Sequence, residues 1–130
     1  MIKQVGEMVK EFHDKFAVPV SIPGEFVTTE QRKLLIWEEY LETITALNNG
    51  DPETILKECC DLVYVAVGTA VAFGMNFDEA FKRVHASNMA KLWEDGKPRY
   101  REDGKVLKPP TYIPPYLGDL REKGNKETNK

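Results

Sequence analysis

Residues 28–74 read TTEQRKLLIWEEYLETITALNNGDPETILKECCDLVYVAVGTAVAFG, and this stretch decides the fold. Between Glu30 and Asn49, residues Leu34, Trp37, Leu41, Ile44 and Leu47 share one helical stripe, which predicts a long amphipathic helix closed by Gly50. Thr28 and Gln31 have the spacing of a capping box and predict where it starts. Asp51 and Pro52 then supply an N-cap and a first-turn proline, so a second helix opens at once and runs to Gly74. Val63, Val65 and Val67 taken alone also suit a strand, but the length of the run favours a helix. Helices joined by so short a turn pack antiparallel.

Working outward, Val5, Met8, Val9, Phe12 and Phe16 predict a helix over residues 3–16, and Pro19 and Pro23 prevent its continuation. On the other side, Asn76 with Glu79 three residues on predicts the cap of a fourth helix that ends near Asp95 and Gly96. The expected fold class is all-α, a bundle of four main helices. Beyond it lies a proline-rich C-terminal arm, residues 97–117, in which Asp103 and Gly104 suggest a two-residue hairpin turn. Residues 118–130 read as a polar tail.

A chain of 130 residues with 42% hydrophobic and 30% charged residues has the composition of one soluble domain, expected over residues 1–117. The opening MIKQVGEMVKEF carries scattered charges and no secretory pattern, so a cytoplasmic protein is expected. Leu62 to Phe73 is twelve residues without a charge, too short to cross a bilayer and suited to a helix buried on all sides. Such burial in a small chain implies oligomerisation, as a dimer or tetramer. Cys59 and Cys60 are adjacent, which excludes an ordinary disulfide between them, and they are expected as small buried apolar groups. Residues 1–96 carry nine Lys/Arg against sixteen Asp/Glu, whereas residues 97–130 carry nine against five. So acidic a body is a poor surface for a nucleic-acid polymer.

Glu39 and Glu42 lie three apart on the second helix, and Glu58 and Asp61 three apart on the third, so each pair leaves one helical face. Antiparallel packing brings the two pairs together at mid-helix, and Glu38 adds a fifth carboxylate. Any single acid here is compatible with a solvated surface. Glu58 and Asp61 are less so, because they directly precede the most apolar run of the chain, where an unpaired carboxylate is costly. The two histidines, His13 and His85, fall on other helices, so the ligation is all-oxygen and points to Mg2+ or Mn2+. Mg2+ bound by carboxylates usually shares its shell with substrate phosphates, which makes a polyphosphate the expected substrate class.

With fifteen residues between them, Glu39-x-x-Glu42 and Glu58-x-x-Asp61 resemble the ExxE…ExxD signature of the MazG-like all-α NTP pyrophosphatases. Residues 84–115, VHASNMAKLWEDGKPRYREDGKVLKPPTYIPP, resemble the C-terminal block of the phosphoribosyl-ATP-pyrophosphohydrolase-like subgroup common in bacteria and phages. The resemblance implies Mg2+ ligation by Glu39, Glu42, Glu58 and Asp61, with Glu38 either a further ligand or the group orienting the attacking water, and Glu38 and Glu39 as the catalytic candidates. The implied reaction converts a (d)NTP to (d)NMP and pyrophosphate in nucleotide-pool control, with a leaning to dGTP. For a phage-encoded chain the location would be the host cytoplasm. Asn88 and Lys91 match positions expected to meet phosphate or sugar.

Further candidates for the substrate come from the residues themselves. Lys97, Arg99, Arg101, Lys105 and Lys108 suit a triphosphate, or simply solubility. Trp37 suits base stacking or core packing, and His13 suits nucleotide contact or a structural place. Two alternatives stay open: a phosphoribosyl-ATP pyrophosphohydrolase of histidine synthesis, and a non-catalytic metal- or nucleotide-binding oligomerisation module.

Overall fold

A computed structural model of the chain describes residues 2–120. Four α-helices follow one another: α1 (Val5–Lys15), α2 (Phe26–Asn49), α3 (Pro52–Ala72) and α4 (Phe77–Met89), and the fold is all-α. The described residues divide into two compact units, one ending at Asp78 and the other Glu79–Leu120.

In the first unit α3 packs against both α1 and α2. Gly50 closes α2 in the left-handed region, φ 76°, where a side chain would be strained, and the Asp51 carboxylate then accepts the Thr54 N–H to open α3. Contacts of Thr43 with Glu58 and of Arg32 with Val65 and Thr69 run in opposite directions along the two helices, so α2 and α3 are antiparallel as expected. Val9 of α1 meets Val67 and Val71 of α3 in the buried core, and Phe77 packs beside them. Val9 and Val67 are essentially inaccessible, so truncating either to Ala costs about 2 kcal/mol.

Local expectations are corrected at several points. Thr28 does not cap α2; Glu25 does, accepting from Val27 N–H at 3.2 Å and Thr28 N–H at 2.8 Å. Thr28 is buried, and its hydroxyl pairs with that of Ser21. The apolar stripe of α2 is not core in this chain, since Leu34, Trp37 and Leu47 are all more than half exposed. Its buried face carries Arg32, Thr43 and Ala46 instead. Likewise α3 is buried on one side only, with Val63 and Tyr64 exposed, and Cys59 and Cys60 are exposed.

The second unit holds most of α4, which stops at Met89, short of the expected Asp95. There the ladder shortens to bonds from Lys91 N–H to Asn88 and from Leu92 N–H to Met89, and a turn closes between Trp93 and Gly96. A single antiparallel bridge joins Tyr100 and Val106. The Arg101 N–H bonds to the Lys105 carbonyl, so the loop holds three residues, Glu102, Asp103 and Gly104, not two. Arg83 ties Glu79 to Asp119, which begins to order the expected tail as a short 3-10 turn, Gly118–Leu120. Residues 121–130 of that tail lie outside the described residues. Among the described residues no single helix is long and apolar enough to cross a membrane.

Candidate metal centre

The helical register of α2 and α3 brings Glu39, Glu42, Glu58 and Asp61 together, each offering a carboxylate oxygen within 4.8 Å of the others. The alignment is fixed at the level of the acids. Thr43, one turn beyond Glu39, is buried; its hydroxyl donates to the Glu39 carbonyl at 2.6 Å and lies 3.4 Å from the Glu58 carbonyl across the helix pair.

Oε2 of Glu39 and Oε1 of Glu58 are buried and accept no hydrogen bond among the described residues. Burial pushes the Glu39 carboxyl above its ordinary value, reinforced by the charges of Glu42, Asp61 and Glu58. Burial also raises Glu58, with Lys57 opposing. Buried, unsatisfied, mutually repelling oxygens are the donor set of a hard divalent cation, so the residues fit a metal. Lys57, which sequence reasoning passed over, reaches the cluster with its Nζ 2.7 Å from Asp61 Oδ2 and 3.7 Å from Glu58 Oε1. Its i,i+4 spacing to Asp61 was the available signal.

On the helix pair beside these acids opens a cavity of about 710 Å³, walled by Phe12, Phe16, Leu35 and Tyr64 and reaching Glu38. Phe12 stands edge-on to Tyr64 at 5.7 Å and tilted against Phe16 at 4.4 Å. The Val18 N–H bonds back to the His13 carbonyl, and Ala17 turns through φ 55°, which swings Val18 and Pro19 into the cavity wall. Three buried polar side chains also line it, His13, Thr28 and Arg32. Burial, and then the neighbouring Arg32 charge, hold His13 below its ordinary value. Arg32 donates from Nε to the Thr69 hydroxyl and from Nη2 to the Val65 carbonyl. Nothing in the sequence singled it out.

Glu38 is exposed and lines the cavity, while Trp37, 58% exposed, stacks on Tyr40 at 5.8 Å and does not. The remaining candidates belong to the second unit. There Asn88 is exposed, Arg99 lies over the Trp93 ring at 4.1 Å, and Lys91 and Lys108 lie over Tyr112 at 6.0 and 5.1 Å. Arg101 pairs with Asp103, whereas Lys97 and Lys105 make no ion pair among the described residues. The basic arm is thus partly engaged with its own aromatic and acidic side chains.

Residues 9–88 match the phosphoribosyl-ATP pyrophosphohydrolase family, a stretch that holds all four acids and the three buried polar groups of the cavity. An uncharacterized protein of Acanthamoeba polyphaga mimivirus is 31% identical over 81 residues, covering 62% of this chain and 30% of that protein. The chain therefore spans less than a third of that relative's length. With its helices and acids in the positions described, the chain belongs to the phosphoribosyl-ATP pyrophosphohydrolase family, within the MazG-like all-α pyrophosphohydrolases.

Proposed function

We propose that this protein is a Mg2+-dependent nucleoside triphosphate pyrophosphohydrolase that converts (d)NTP to (d)NMP and pyrophosphate. The observation that carries the reading is the cluster of Glu39, Glu42, Glu58 and Asp61 with two buried carboxylate oxygens that accept no hydrogen bond among the described residues. Four acids that repel one another in a half-buried place need cations, and a polyphosphate completes the shell of a magnesium ion that carboxylates alone leave partly hydrated. A bound metal would polarise the phosphoryl oxygens and lower the pKa of a water. Glu38 enters as the candidate to accept the proton of the attacking water on the sequence resemblance alone, while Thr43 bonds at the level of the acids on both helices. Cleavage at the α phosphorus releases pyrophosphate as an intact leaving group.

Asn88, Lys91 and the basic residues Lys97, Arg99, Arg101, Lys105 and Lys108 enter this reading as candidate phosphate contacts on their charge and on the sequence resemblance alone. The exposed stripe of α2 supports a homodimer or tetramer, since monomers rarely leave a row such as Leu34, Trp37 and Leu41 in water.

The family match favours a second reading, in which phosphoribosyl-ATP is the substrate. A panel of dNTPs, NTPs and phosphoribosyl-ATP incubated with the protein and Mg2+, scored for pyrophosphate, separates the two. Release from several triphosphates supports the first reading, release from phosphoribosyl-ATP alone supports the second, and release from none supports a non-catalytic binding module.

A further inference from the structure

Arg32 is 8% exposed, and among the described residues no carboxylate pairs with it. A buried guanidinium without a counter-ion is expensive unless its donors are used. Among the described residues only Nε and Nη2 are used, on Thr69 and Val65, and Nη1 makes no hydrogen bond there. The side chain lines the 710 Å³ cavity, whose other walls are mostly aromatic and aliphatic. Gly68 makes the arrangement possible, because a Cβ at that position would lie 2.6 Å from Arg32 Nη2 and 3.0 Å from His13 Nε2. His13, 4% exposed, leaves Nδ1 buried with no hydrogen-bond partner among the described residues.

The placement relative to the acids sets the scale of the occupant. Arg32 precedes Glu39 by seven residues on α2, and its acceptor Val65 follows Glu58 by seven on α3. Seven residues of helix advance about 10 Å, the reach from a nucleotide's phosphate to the far edge of its base. A flat apolar body held between Phe12, Phe16 and Tyr64 would thus end against a fork of donors.

We propose that this cavity is the nucleobase pocket, and that Arg32, set by Val65, Thr69 and the notch at Gly68, selects bases that present a carbonyl edge. This rests on the nucleotide reading of the adjacent acids. A guanidinium offers donors only, so it pairs with the oxo and ring-nitrogen acceptors of guanine or the 4-oxo group of thymine and uracil. The exocyclic amino groups of adenine and cytosine would face it donor to donor, leaving a buried charge unpaired.

The test begins with wild-type protein in EDTA, titrated calorimetrically with dGMP, dTMP, dAMP and dCMP, and continues with pyrophosphate release from the matching triphosphates in Mg2+. The expected result is a preference of about tenfold or more for the oxo bases over the amino bases in both assays, with the dGMP and dTMP arms telling purine from pyrimidine. Arg32→Gln and Gly68→Ala should each collapse that preference to about threefold or less. Gly68→Ala displaces the Arg32 and His13 tips by a single methyl group in a helix that tolerates alanine, and circular dichroism checks that each variant folds. Equal affinity for all four monophosphates overturns the proposal even if neither variant folds, as does a folded Arg32→Gln that keeps the wild-type ranking. Ranked binding without pyrophosphate release would instead remove the hydrolase reading and leave the pocket. Unranked release from all four triphosphates would remove the pocket and leave the hydrolase.

Discussion

The Lys57 ammonium lies 2.7 Å from the Asp61 carboxylate, so a cation from the chain itself stands at the edge of the acid cluster. Asp61, and Glu58 beside it, raise the Lys57 pKa, so the group is fully charged at neutral pH. A divalent ion seated among the four acids would meet this positive charge at short range. Lys57→Gln is therefore expected to tighten Mn2+ or Mg2+ binding several-fold in calorimetry and to lower the melting temperature in EDTA, where the lysine is the nearest neutralising group. Unchanged metal affinity would mean that Lys57 does not feel the site.

Replacing ligands should uncouple activity from stability. Glu39→Gln and Glu58→Gln are each expected to reduce turnover by about a hundredfold or more. Both carboxyls have raised folded-state values, so their contribution to stability is present below the unfolded value and is lost as pH rises through the folded one. At neutral pH, above the unfolded value, the two carboxyls therefore cost the metal-free fold stability, and both amides should melt higher than wild type in EDTA at pH 7.5. Asp61→Asn should match them in lost turnover without that gain, since it also gives up the Lys57 pair. A variant that keeps near-normal turnover removes its acid from the ligand set.

The acid pairs were legible because ExxE and ExxD spacing needs only helix geometry and a short α2–α3 turn, both encoded locally. The direction in which α2 faces was not. Its apolar stripe suggested a core, yet the face turned toward α3 carries Arg32, Thr43 and Ala46, leaving Leu34 and Trp37 outside. Arg32 was illegible for a related reason. A lone arginine on a helix reads as solvated, and only Gly68, 36 positions away, gives its tip a buried place. The Glu25 cap was hidden by Thr28 and Gln31, whose spacing mimics a capping box while Thr28 is occupied with Ser21.

His13 provides a pH test apart from the acids. Burial first, then Arg32, lower its folded-state value, with Asp14 opposing. Its contribution to stability is thus complete above the ordinary value of 6.5 and is lost as pH falls through the lower folded value, because the unfolded chain takes up the proton first. Wild type should therefore lose melting temperature more steeply between pH 7 and pH 5 than His13→Asn does. Parallel slopes for the two proteins would show that His13 titrates as it does in the unfolded chain.

The exposed stripe of α2 predicts self-association. At micromolar concentration the protein should sediment as a dimer or tetramer, and Leu41→Glu, placed in the middle of the stripe where Leu41 is 45% exposed, should shift it toward the monomer. A wild-type species at the chain mass of 14.8 kDa would contradict this.

The central claim is that the acids of α2 and α3 hold metal for cleavage between the α and β phosphates. Phosphorus NMR of a deoxynucleoside triphosphate incubated with the protein and Mg2+ addresses it most directly, because it identifies the first products. With metal held by these acids, dNMP and pyrophosphate appear together, and neither appears in EDTA or with Glu39→Gln. Orthophosphate and dNDP as first products, or an unchanged triphosphate spectrum across the base panel with folded protein, would contradict it.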